Sequence, residues 1–153
     1  MKKAYNSLIK NPANYIPLTP ISFLSRTADI FGERDAIMKF TNVSDGTGES
    51  EVVKVDVSAL SKNGQGDSCT KATIEKIWWQ CNGMKVKMLF DASTNVFCIE
   101  LGENQSGHHD YTSFGGLTNN AGSGVTGDIL FTTVGHASAD TYTVILQVSK
   151  EFS

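Results

Sequence analysis

From Glu51 onward, apolar and polar positions alternate with a period of two, the pattern of strands that bury one face. Val53, Val55 and Val57 point one way with Lys54 and Asp56 between them, and Met84, Val86, Met88 and Phe90 repeat the alternation around Lys85 and Lys87. Phe97, Ile99 and Leu101 make a third run, Ile129, Phe131 and Thr133 a fourth, and Tyr142, Val144, Leu146 and Val148 a fifth. Residues 70–81 are rich in β-branched and aromatic side chains and read as a further strand, although residues 72–76 also suit the start of a helix. Asn82-Gly83 predicts a tight type I′ turn and residues 91–95 a slightly longer connection, so residues 78–101 are expected to form a three-stranded antiparallel meander. Short strands separated by Gly/Ser/Asn loops, with no alternating helices, imply a mainly β fold, an antiparallel β-sandwich or jelly-roll-like domain. Residues 102–127 are polar, glycine-rich and poor in strand pattern, and are expected to form a long loop that serves as a contact surface.

The first 38 residues have a different texture. Thr19 reads as an N-cap and Pro20 as the first helical residue; Ile21, Leu24, Ala28 and Phe31 recur at helical spacing, and Gly32 supplies the stop. A short N-terminal helix is therefore expected ahead of the β-domain, and at this length it is marginal unless it docks on something. This segment holds all three prolines and counts five basic against three acidic residues, whereas the remainder counts eight against thirteen. The expected organisation is a loosely attached appendage over residues 1–38 and a β-sandwich domain over residues 39–153.

Charge and composition narrow the function classes. With a net charge of −3 and no run of lysines and arginines, the chain lacks the electrostatic footprint of a nucleic-acid binder. Met1-Lys2-Lys3 is followed by polar residues rather than an apolar h-region, and no apolar stretch approaches the roughly 20 residues of a bilayer span, so neither a signal peptide nor membrane insertion is expected. Cys69, Cys81 and Cys98 are an odd set without a CxxC pair, which predicts reduced thiols rather than a disulfide framework or a zinc knuckle.

Candidate chemistry is sparse. His108-His109-Asp110, with His136, is the one metal-like grouping, but adjacent residues of an extended chain point to opposite sides, which favours a polar exposed loop. A Cys98 nucleophile needs a histidine partner that nothing in the spacing supplies, and the carboxylates are scattered over strand ends and turns. The glycines between Gly115 and Gly127 have neither a GK[ST] motif nor a helix behind them, which favours tight turns or close backbone packing over phosphate binding. No catalytic, cofactor or metal residues are assigned. Trp78 and Trp79 point to opposite faces of a strand, one to the core and one outward, where tryptophan is a frequent interface anchor. The candidate interface comprises Trp79, Tyr111, Phe114, Leu117, Asn119 and Asn120.

Two resemblances bear on origin. Residues 14–24, Asn-Tyr-Ile-Pro-Leu-Thr-Pro-Ile-Ser-Phe-Leu, followed by Ala28 and Gly32-Glu33-Arg34-Asp35-Ala36-Ile37, resemble the extreme N-terminus of bacterial acyl-CoA synthetases of the adenylate-forming superfamily. That family's ATP loop ends in a lysine, and residues 119–128 lack both the lysine and the proline, so the resemblance implies an inactive fragment. Lys54-Val55-Asp56-Val57-Ser58, Lys76-Ile77-Trp78-Trp79, Phe114-Gly115-Gly116-Leu117-Thr118-Asn119-Asn120 and Asp140-Thr141-Tyr142-Thr143-Val144 are similar to small virion structural proteins of marine tailed phages. This second resemblance implies a non-enzymatic assembly or capsid-decoration subunit, self-associating or bound to other virion proteins and assembled in the host cytoplasm. The alternative is a carbohydrate- or receptor-binding β-sandwich with a surface platform of Trp79, Tyr111, His108 and His109.

Overall fold

The computed structural model describes residues 34–153 and, ahead of them, the backbone of two short strands, β1 (Ser25–Arg26) and β2 (Ile30–Phe31). Eight further strands follow: β3 (Asp35–Asp45), β4 (Val52–Val55), β5 (Cys69–Asn82), β6 (Lys85–Phe90), β7 (Val96–Leu101), β8 (Gln105–Asp110), β9 (Ile129–Val134) and β10 (Ser138–Phe152). One sheet has the order β1-β3-β10-β5-β8, with β2 also on β3; the other has the order β4-β9-β6-β7, and every pairing is antiparallel. Strands β3 to β10 pass repeatedly from one sheet to the other, the two-layer arrangement of a jelly-roll sandwich.

The alternation seen in the sequence becomes the core. Met38 and Phe40 of β3, Ile77 and Cys81 of β5, and Tyr142, Val144, Leu146 and Val148 of β10 face Val86, Met88 and Phe90 of β6 and Ile129 and Phe131 of β9, all buried in one cluster. The loop between β3 and β4 is tied into this core by Glu49. Its carboxylate accepts from Lys54 Nζ (2.6 Å), Asn42 Nδ2 (2.8 Å) and Tyr142 Oη (2.9 Å), and its backbone N–H donates to Thr133 Oγ1 (2.8 Å). Burial pushes the Lys54 ammonium below its ordinary pKa and the paired carboxylate opposes that shift.

Several expectations are corrected. The Asn82-Gly83 link does not close a hairpin: β5 lies in one sheet and β6 in the other. Both edges of β5 are already occupied, by β10 and β8, so β6 has no free edge to pair with there. Gly83 alone takes a positive φ (78°), Asn82 remains paired with Thr141, and Met84 enters the core as the chain crosses over. The meander is thus reduced to the β6–β7 hairpin, where a bulge at Cys98 shifts the face so that Phe97 points outward. The stretch expected as one long loop contains β8, followed by a 3-10 turn (Thr112–Phe114) and an isolated bridge between Ile74 and Leu117. Strand β8 carries the polar sequence Gln-Ser-Gly-His-His-Asp at the sheet edge, and neither of its faces has the apolar alternation that would mark it.

Of the predicted N-terminal helix, only Ser25–Arg26 and Ile30–Phe31 are described, and there the backbone is extended against β3; the rest lies outside the described residues. The division drawn near Met38 falls inside β3, which pairs with β10 from Asp35 onward and buries both Ala36 and Met38. The change in composition is a feature of the sequence through which this strand runs without a break.

Candidate functional site

Strand β5 pairs without a break over residues 76–81 with both β10 and β8, so Trp78 and Trp79 face opposite ways, as their adjacency requires. Directly opposed residues in antiparallel strands share a face, which makes the outward face of this sheet a grid of rows across the strands. His108, Trp78, Ile145 and Lys39 form one row; Ser106, Gln80, Thr143 and Thr41 form the next. Asp110, Lys76, Gln147 and Ile37 form the row on the other side of the tryptophan.

The His108 imidazole stacks on one side of the Trp78 indole, with centroids 4.9 Å apart and planes 16° from parallel. An open depression of about 320 Å³ is lined by Trp78, Gln80, Ser106, Thr143 and Ile145, with Trp79 and Gly107 between them. A half-buried indole is thus flanked by an amide, two hydroxyls and an aliphatic side chain, none of which carries a formal charge. The flanking charges are engaged: Lys76 Nζ pairs with Asp110 (3.1 Å), and Gln147 donates to Glu75 (3.1 Å). Hydrogen bonds from Thr112, with help from Lys76, lower the Asp110 carboxyl to about 2.

Trp79 lies on the inner face and packs against the core. Its ring lies across Gly107, where any Cβ would collide with it, and stacks on His109 at 4.7 Å. From there an aromatic run continues along the edge through Tyr111 to Phe114, with centroids 5.7 Å apart at each step. The Trp79 Nε1 is buried without a hydrogen-bond partner among the described residues, so this indole serves as a hydrophobic wedge under the edge strand.

The residues singled out from sequence are therefore dispersed. Tyr111 is half-buried against the core, and Phe114 stands 66% exposed. Leu117 bridges to Ile74, Asn119 is occupied with the Asp91 carbonyl (2.9 Å) and the Ala121 amide (3.0 Å), and Asn120 is exposed. His108 and His109 sit on opposite faces of β8, and His136 lies beside Thr133 of β9 (3.4 Å). Among the described residues no three His, Cys, Asp or Glu side chains converge as a metal site. Burial drives Cys98 up to about 12 and Cys81 to about 11, so both thiols are held protonated at neutral pH. Two of the loop glycines fit against this chain's own backbone, Gly116 against Ile74 and Gly127 against Thr70, while Gly115 and Gly122 face open space.

Sequence reasoning missed Gln80, Ser106, Thr143 and Ile145. The available signal was the polar half of each strand's alternation, which names the outward residues but not their neighbours across strands. No family model matches the chain. A solved structure of a mutant carbohydrate binding module of family 29 aligns over 90% of this chain and 86% of that one, with 10% sequence identity and a TM-score of 0.37. A likeness at that score carries no argument about the fold or the ligand.

Proposed function

We propose that the protein is a non-catalytic carbohydrate-binding module whose site is the outward face around Trp78. The observation that carries this reading is the uncharged depression in which an indole stands beside Gln80, Ser106 and Thr143. Sugar rings present C–H faces that stack on indole, and their hydroxyls need donors and acceptors at the plate's margin, which is the chemistry this face offers. The platform first expected around Trp79 moves by one residue, because Trp79 faces inward. Trp78→Ala is expected to abolish retention on the polysaccharides that bind the intact chain, while Phe114→Ala on the neighbouring edge leaves it unchanged. Affinity electrophoresis across a polysaccharide panel reads both. Equal retention of intact chain and Trp78→Ala would reject the site.

A second reading, the assembly subunit of a virion, has one observation in its favour. On the outer face of the other sheet, Val53, Leu130, Leu89 and Phe97 line up across all four strands, with Val53 48% and Phe97 57% exposed. Leu130 within the row is itself buried, so the apolar surface that suits burial against another subunit is at the two ends, Val53 and Phe97. Light scattering on the intact chain and on Phe97→Ser tests it: a discrete oligomer that dissociates in the variant supports assembly, and a monomer in both removes this support.

A further inference from the structure

The rows on the Trp78 face have a direction, and that direction constrains the ligand. His108, Trp78 and Ile145 form a row perpendicular to the strands, and Ser106, Gln80, Thr143 and Thr41 form a second row beside it, parallel to the first. Adjacent rows stand roughly 7 Å apart and each four-strand row is roughly 15 Å long, from the rise per residue and the strand spacing. That is an elongated plate flanked on one side by Gln80, Ser106 and Thr143 and on the other by Gln147 and the Lys76–Asp110 pair, lying on the face of the sheet rather than in a closed pocket. From this geometry we infer that the face binds internal units of an extended, neutral polysaccharide chain laid across the strands. The sugar faces lie on the Trp78–Ile145 row and the hydroxyls on the Gln80–Thr143 row.

Charge decides between neutral and acidic glycans. The lining of the depression has no formal charge, and Lys76 is held by Asp110. Lys39, at the β3 end of the tryptophan row, is the one cationic residue in that row or the hydroxyl row. A single lysine at the far end does not neutralise a carboxylate on every unit of a uronate polymer, and the hydrogen-bonding row offers such a polymer no cation.

This inference rests on the carbohydrate-binding reading, and the test separates the two. Calorimetric titration of the full chain with cello-oligosaccharides, from the disaccharide to the hexasaccharide, is expected to give affinity rising at least roughly tenfold with length. Borohydride reduction of the hexasaccharide's terminal unit leaves its affinity unchanged, and oligogalacturonate of the same length binds more weakly. Gln80→Ala and Thr143→Val, both surface changes that spare the core, each weaken hexasaccharide binding roughly two- to tenfold. A disaccharide as tight as the hexasaccharide, loss of binding on reduction, or tighter binding of oligogalacturonate would overturn the inference and leave the module reading standing. If none of these sugars binds but another glycan is held through Trp78, the chain class is wrong and the site is right. If no glycan binds, or if binding is indifferent to Trp78→Ala, Gln80→Ala and Thr143→Val alike, both readings fail together.

Discussion

At residue scale, three donors converge on the Glu49 carboxylate, which is itself buried. Removing one member of such a group leaves the others buried without a partner. Lys54→Met is therefore expected to lower stability by about 3–5 kcal/mol, and the Lys54→Met, Glu49→Leu double variant by no less, because it leaves Tyr142 Oη and Asn42 Nδ2 without their acceptor; urea denaturation measures both. Asp110 makes a pH-dependent contribution of the opposite kind, on the surface. Its folded pKa of about 2 lies below the ordinary 3.8, so its bonds to Thr112 and Lys76 are fully stabilising above that ordinary value. They are lost as pH falls from about 4 towards 2. The protection factor of the Thr112 amide should fall through that window in the intact chain and show no such step in Asp110→Asn.

At the scale of elements, the informative case is the connection at Asn82-Gly83. The sequence predicts a turn and a turn is there, but the two strands it joins lie in different sheets and do not pair with each other. Turn chemistry is local, while the choice of which edge a strand pairs with depends on which edges are already taken. Gly83 has a positive φ, and an added Cβ would meet the Asp140 carboxylate, so Gly83→Ala combines backbone strain with a clash. A loss of about 1–3 kcal/mol is expected, visible as a lower denaturation midpoint without a change in slope. Strand β8 shows the converse limit. An edge strand with no buried alternation has no periodic signature, and it is recognisable only once Trp78 and Trp79 are seen stacking on its two histidines.

At the scale of the whole molecule, the composition break near Met38 and the structural unit do not coincide. Residues 35–37 belong to β3, where they pair with Ser149, Val148 and Gln147 of β10, and the Lys150 amide donates to the Arg34 carbonyl (2.6 Å). A chain beginning at Met38 loses this pairing and the buried Ala36 methyl, and is expected to unfold at a lower urea concentration than the full chain. Equal midpoints would show that the sandwich closes without the start of β3. The jelly-roll arrangement itself is shared by capsid and lectin domains, so architecture does not separate the two functional readings; their sites on opposite outer faces do.

What the sequence determined by itself is the mainly β character, the position of most strands and the membership of the core, because burial of one face imposes a period of two that any stretch of chain displays locally. The opposed orientation of Trp78 and Trp79 follows from the same period. Which of the two faces the core, which strands neighbour β5, and that Gln80, Ser106 and Thr143 gather beside an indole were decided only by the tertiary structure. Gln80 is joined to Ser106 and Thr143 across 26 and 63 positions of sequence, through strand pairing whose register is a property of the closed sandwich and of no single segment.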